Sequence, residues 1–188
     1  MLLNDGEFDL ARAGFDAVSV PTNTPESMQL AGFLALRQSR IAAVDKRPGD
    51  ADAALEHAGE LAARTGEGNA CGLGSGPVNV GLFRVFGAVD AKDYEQAVNV
   101  AESLNPETHA NRSQRANYWT FYGRALARVR RRDDAVMALR RAELISPHRV
   151  QRDPIVRDVL GELLTCTRRD SPAGRELRRM AYRASLSV

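Results

Sequence analysis

Ala116-Asn117-Tyr118-Trp119-Thr120-Phe121-Tyr122-Gly123-Arg124-Ala125-Leu126, continued by Asp133-Asp134-Ala135-Val136-Met137-Ala138-Leu139-Arg140-Arg141-Ala142 and closed by Pro147, decides the fold. Large apolar and small residues recur at helical intervals in both runs, with an Arg/Asp-rich stretch between them. The pattern predicts two consecutive helices, over 113–131 and 133–145, and a stop at Pro147.

Trp119, Gly123, Ala135, Ala142 and Pro147 stand at the spacing of a tetratricopeptide repeat, a helix–turn–helix unit of about 34 residues. Tyr122 and Gly123 fall on its Leu-Gly pair, Leu126 replaces its Tyr and Leu139 its Phe. The stretch therefore resembles that repeat. The resemblance implies an all-α superhelix, a right-handed solenoid of antiparallel helix pairs with a concave groove that binds something. Fainter echoes lie upstream. Asp93-Tyr94-Glu95-Gln96-Ala97 with Ala101, Gly49-Asp50-Ala51-Asp52-Ala53-Ala54 with Ala58, and Gly6-Glu7-Phe8-Asp9-Leu10-Ala11 with Phe15 each resemble the start of a second repeat helix. The organisation expected is a single helical repeat domain over 1–188. Its units cover about 1–20, 26–65, 77–106 and 113–147, with capping helices at 153–185. The unit at Gly6 has no room for a first helix before it, so the expectation is a piece of a longer protein or a lost upstream segment.

Helices are read across the rest of the chain, at 7–18, 26–45, 50–64, 77–89, 93–104, 153–167 and 172–185. Asp153-Pro154 and Ser171-Pro172 are good helix starts, each a capping residue before a proline at the first helical position. Gly66 to Gly76 holds five glycines and is expected to be the main flexible loop. Hydrophobic residues make up 44% of the chain but aromatics only 6%, so alanine and leucine carry the packing. Cys71 and Cys166 have no partner spacing and are expected to be buried or idle thiols. No signal peptide follows Met1, and no apolar stretch approaches the length of a bilayer span, so the chain is read as cytoplasmic and without a membrane partner.

Charge is segregated. Residues 115–188 hold 17 arginines against 8 acidic residues, whereas the first 114 residues hold 9 basic against 16 acidic ones. The densest run is Arg128, Arg130, Arg131, Arg132, Arg140 and Arg141. Such a run offers a surface to nucleic acid or an acidic partner, or is a solvated helix face partly neutralised by Asp133 and Asp134. Few aromatics alternate with it, which argues against a single-strand stacking platform.

Nothing in the sequence assembles a catalytic centre. His57, His109 and His148 are scattered, and no zinc-protease, nucleophile-elbow or phosphate-loop signature occurs. Gly72-Leu73-Gly74-Ser75-Gly76 has the glycines of a phosphate loop but not its Gly-Lys-Ser/Thr ending. The reading is non-catalytic, with no cofactor and no metal.

Gly76-Pro77-Val78-Asn79-Val80-Gly81-Leu82-Phe83-Arg84-Val85 resembles the G-P-[TS]-N-V-x-L-[HF]-R-V stretch in the sensor half of actinobacterial Xre-type helix-turn-helix regulators. Gln96-Ala97-Val98, Asn105-Pro106, Arg131-Arg132-Asp133-Asp134-Ala135-Val136 and Asp153-Pro154-Ile155-Val156-Arg157 fit the remainder of that pattern. The resemblance spans about 50–165. It implies the ligand- or partner-sensing part of a transcription regulator, here without its own helix-turn-helix, so direct DNA contact is not expected. The implied partner is a peptide, a small molecule or a protein, including a second copy of the chain as a homodimer. The competing expectations are a scaffold or oligomerisation module without a small ligand, and nucleic-acid binding through the arginine-rich half.

In such arrays the first helix of each pair lines the groove. This selects Asn79, Phe83, Phe86 and Arg84 in one unit and Asn117, Thr120, Arg124 and Arg128 in the next. In the 26–45 helix it selects Arg40, Gln38 or Ser39. Amides suit a peptide backbone and the arginine fork suits a carboxylate or phosphate. Trp119 is expected in the core. The glycine-rich loop is expected to act as a weak joint, letting 1–65 move relative to 77–167 as the groove closes on its ligand.

Overall fold

The computed structural model describes residue 10, residues 13–15 and residues 17–186. The expected helix at 7–18 and the repeat unit at 1–20, with the Gly6–Ala11 motif, lie largely outside the described residues. Leu10 and residues 13–15 are helical, the described residues form no strand, and from Pro25 onward they form nine α-helices. In chain order they are α1 (Pro25–Val44), α2 (Pro48–Thr65), α3 (Pro77–Asp90), α4 (Tyr94–Glu102), α5 (Arg112–Arg128), α6 (Arg132–Ile145), α7 (Pro147–Arg152), α8 (Pro154–Cys166) and α9 (Pro172–Arg183). Two short 3-10 turns, Ala70–Gly72 and Pro106–Thr108, sit in the connections.

One turn geometry closes helix after helix. Lys46, Lys92, Arg130 and Ser185 all adopt a left-handed backbone, with φ between 54° and 64°. After α5, Arg130 N donates to Ala127 O and Arg131 N to Leu126 O; after α3, Lys92 N donates to Val89 O and Asp93 N to Ala88 O. After α1, Lys46 and Arg47 bond Ala43 and Ala42 in the same way. These are Schellman closures, which satisfy the last carbonyls of a helix and reverse the chain. In each case a small residue stands five positions beyond the left-handed one: Ala51, Ala97 and Ala135. Counted from the turns, Ala51 stands where Ala97 and Ala135 do, and Ala58 where Ala142 does.

Helix starts follow their capping residues. Thr24 and Ser27 form a reciprocal capping box at α1, while Asp93, Asp153 and Ser171 accept backbone N–H bonds at α4, α8 and α9. Pro147 does more than end α6: it occupies the first position of the short α7, a helix the sequence reading did not include. Proline serves there because its missing N–H is unneeded in a first turn.

The chain divides into two compact units, Met1–Gly87 with Leu104–Asn111, and Ala88–Ser103 with Arg112–Val188. In the first, α1 packs along α2, burying Leu36, Ile41, Ala58 and Leu61. In the second, α5 packs along α6, and α8 lies against both α5 and α9. Gly123 sets the closeness of α5 and α6, since a Cβ there would come within 2.9 Å of Leu139 Cγ and 3.3 Å of Ala135 O. Ala135, Leu139 and Ala142 are fully buried beside it. Tyr118 donates to Ala101 O at 2.8 Å, and burial pushes its phenol up to about 12.

The glycine-rich loop is not weakly held, and the expectation of a joint there is overturned. Gly68 and Ser75 exchange both backbone hydrogen bonds, at 2.7 and 2.9 Å. Side-chain amides tie down the rest: Gln29 accepts from Ala70 N, Asn69 accepts from Gly74 N, Asn79 donates to Gly74 O and Asn111 donates to Gly72 O. Gly74, at φ 63°, is packed so tightly that a Cβ would sit 2.5 Å from His109 Cε1. Both flanks of the loop belong to the first unit. Of the two states expected for the thiols burial is excluded, because Cys71 and Cys166 are both free and exposed.

Candidate functional site

The residues selected from sequence fall in both units. Arg40, Asn79, Phe83 and Arg84 belong to the first; Asn117, Thr120 and Arg124 belong to the second.

In the first unit, Asn79 is 0% exposed and its Nδ2 holds Gly74 O at 2.9 Å, so it braces the loop from inside. It offers no surface to a groove. Arg84, by contrast, is exposed and lines an open depression of about 410 Å³ between α2 and α3. Pro77 and Val80 of α3 and Gly59, Ala62 and Ala63 of α2 form the remainder of the floor, with Glu56 and Glu60 at the rim. Gly59 keeps the floor open: a Cβ there would only just reach Arg84 Nη2 and Val80 Cγ1, each at 3.9 Å. The two carboxylates stand one helical turn apart on α2, which puts them on one face. The depression thus offers an apolar base, two anionic groups and one cationic group.

The N-terminus of α3, which follows the glycine run, is already occupied. Glu67 Oε1 accepts the Val78 N–H at 2.7 Å. Burial raises the Glu67 pKa, and that backbone bond opposes the rise. A carboxylate therefore stands where a phosphate loop would hold its anion.

Arg40 rests on Phe86, whose ring centroid lies 5.4 Å from that of Phe83, with Phe33 and Arg37, which the sequence reading passed over, beside them. The Arg37 guanidinium carbon lies 4.8 Å from the Phe33 ring centroid and 5.5 Å from that of Phe83, while Arg40 lies 5.7 Å over Phe86. Phe83 itself is buried. The signal was present in the sequence as the 33, 37, 40 spacing, which places a phenylalanine and two arginines on one stripe of α1.

In the second unit Asn117, Thr120 and Arg128 of the α5 stripe make internal contacts. Thr120 is buried with its hydroxyl donating to Ala116 O, and Asn117 donates to Gln114 Oε1 at 2.8 Å. Arg124 is half-buried, and Arg128 pairs with Glu162 of α8 at 2.8 Å. Trp119 is half-buried, edge-on to Tyr118 at 4.9 Å, with Arg141 4.7 Å over its ring. Much of the arginine run is likewise engaged. Arg131 bridges Glu102 and Asp134, and Arg140 bridges Glu143 and Glu176. Arg132 donates to Cys166 O.

Comparison with protein-family models, with curated proteins and with solved structures finds no match to this chain. Among the described residues no helix is long and apolar enough to cross a membrane.

Proposed function

We propose that this chain is a non-catalytic binding module, the ligand-sensing part of a tetratricopeptide-type transcription regulator of the Xre kind. It receives a short peptide in the depression between α2 and α3. The observation that carries the reading is the depression itself. Its volume of about 410 Å³ lies within the roughly 300–1,000 Å³ of small-ligand sites. Its chemistry is that of a zwitterion receptor. Glu56 and Glu60 attract an ammonium or guanidinium, Arg84 takes a carboxylate or main-chain carbonyl, and the Gly59–Ala63 floor accepts a small side chain. The recurring turns at Lys46, Lys92 and Arg130 support a repeat array as the frame.

The test is titration of the full chain with short peptides carrying one lysine or arginine and a free carboxyl end. Arg84→Ala and Glu56→Gln/Glu60→Gln should each weaken binding at least tenfold. Gly59→Leu should abolish it by filling the floor while leaving thermal stability intact. Unchanged affinity in Gly59→Leu would remove the depression from the account.

A second reading, docking of a protein partner or a second copy, is favoured by α6. There Met137 is 57% exposed and Leu144 61% exposed, seven residues apart on one face. Met137→Lys/Leu144→Lys should convert an oligomer to a monomer in sedimentation if that reading holds.

A further inference from the structure

Arg168 and Arg169 stand exposed in the connection from α8 to α9, and among the described residues no carboxylate pairs with either. Gly174 lets that connection lie directly on α9: a Cβ there would collide with Arg168 O and come within 3.1 Å of Arg169 O. Two arginines of α9 reach back to the same connection. Arg175 donates to Asp170 O, and Arg178 donates to Gly174 O at 2.8 Å and to Arg169 O at 3.4 Å. A carbonyl fixes a guanidinium in place without neutralising it and leaves most of its five N–H donors unused. Arg179, one turn beyond Arg175, has a side chain 70% exposed and a long contact of 3.5 Å with Glu176. Glu176 itself is drawn inward, to Arg140 at 3.0 Å and Arg183 at 3.2 Å. Five cations thus gather against Asp170 and a share of Glu176. Elsewhere in the second unit Arg128 is paired with Glu162, and Arg131 with Glu102 and Asp134. The densest arginine run of the sequence is therefore not the one left open. A solvated helix face ordinarily intersperses both signs, and this one does not.

We propose that the surface formed by Arg168, Arg169, Arg175, Arg178 and Arg179 binds the phosphate backbone of a nucleic-acid duplex without reading its sequence. A duplex carries one negative charge per roughly 1.7 Å of axis, so several phosphates fall within reach of one short helix. Arg175, Arg179 and Tyr182 follow one another at helical spacing on one face of α9, with Tyr182 80% exposed. Guanidinium forks match paired phosphate oxygens, and tyrosine hydroxyls also contact phosphates. A bilayer fits less well, because Leu177, Met180 and Ala181 of α9 are buried in the fold and cannot enter lipid. A single strand fits less well too, since Tyr182 alone gives no platform for successive bases. An acidic protein would meet guanidiniums where interfaces usually place an apolar centre. This surface belongs to the second unit and stands whether or not the depression at Arg84 binds peptide.

The experiment is fluorescence anisotropy of a labelled duplex of arbitrary sequence titrated with the full chain, between about 50 and 200 mM sodium chloride. For the wild type, log affinity should fall linearly with log salt, with a slope of about −3 or steeper. Arg168→Gln/Arg169→Gln should keep the wild-type Tm, because neither side chain holds the fold. It should weaken binding at least tenfold at the lowest salt and flatten the slope by about 1.8, the loss of two phosphate contacts. Arg168→Lys/Arg169→Lys should retain most of the slope. Arg128→Gln/Arg131→Gln removes the same charge from paired arginines and should change affinity less than threefold. Polyglutamate, and vesicles of phosphatidylserine and phosphatidylcholine in equal parts, should bind more weakly than the duplex at matched salt. The proposal is overturned by no duplex binding at the lowest salt with about 100 μM chain, or by affinity that Arg168→Gln/Arg169→Gln leaves unchanged. It is equally overturned by an effect of Arg128→Gln/Arg131→Gln as large as that of the Arg168/Arg169 pair, or by tighter binding to polyglutamate or vesicles than to duplex.

Discussion

Arg183 holds Glu143 from 40 residues further along the chain, with Nε at 2.8 Å from Oε1 and Nη2 at 2.7 Å from Oε2. The Glu143 side chain is only 3% exposed, and Arg140 and Gln151 also reach it. This joins α9 to α6 and seals the second unit. Removing one partner of a buried pair costs roughly 3–5 kcal/mol. Arg183 is itself a third exposed, so Arg183→Met should fall at or below the low end, lowering Tm by several degrees in calorimetry.

The same carboxylate sets an acid response. Burial alone would raise the Glu143 pKa, but hydrogen bonds from Arg183 and Arg140 outweigh it and hold the value below the usual one. A depressed carboxylate contributes stability that is full above its unfolded pKa and lost as pH falls through its folded value. The stability gap between wild type and Glu143→Gln should therefore be widest near neutrality and shrink below about pH 4.5. Urea melts across that range measure it, and a gap independent of pH would contradict the assignment.

Gly123 and Gly161 make opposite predictions from the same substitution. A Cβ at Gly123 meets Leu139 at 2.9 Å, whereas one at Gly161 meets nothing within 4 Å. Gly123→Ala should destabilise by about 1–3 kcal/mol through overpacking. Gly161→Ala should stabilise by about 0.5–1 kcal/mol through helix propensity. Paired denaturant melts distinguish the two.

The left-handed turn residues carry a stability cost that glycine would remove. Lys92 and Arg130 sit at φ 64° with side chains that favour other conformations. Lys92→Gly and Arg130→Gly should each raise stability by several tenths to about 1 kcal/mol. Equilibrium unfolding that showed a loss would mean these side chains do more than occupy the turn.

The helices and their pairing were legible in the sequence, and the first unit's polar interior was not. Trp119, Gly123 and Ala135 announce α5 and α6 because close packing demands those sizes at those steps. The end of α5 was misplaced because its stop is Arg130, in a conformation where sequence rules look for glycine or asparagine. The glycine run suggested freedom, yet Gln29, Asn69, Asn79 and Asn111 order it through contacts of up to 41 residues' separation, which no local pattern reveals. Asn79 was selected as a ligand contact by helical spacing, which locates a face but not what covers it. Arg84 lay one position off the selected stripe, and that step turned it outward to the depression.

That order is measurable. Amides of Gly68, Ala70, Gly74 and Ser75 should exchange with solvent slowly, and Asn79→Ala should release those of the loop while costing about 1–3 kcal/mol. Rapid exchange of Gly68 and Ser75 in the wild type would restore the loop as a joint.

The central claim is that the α2–α3 depression binds peptide, and amide chemical-shift mapping during titration with a lysine-containing tripeptide tests it most directly. The account predicts saturable shifts centred on Glu56, Gly59, Glu60, Val80 and Arg84, absent in Gly59→Leu. Saturable shifts centred elsewhere, or none with any basic tripeptide at millimolar concentration, would contradict it.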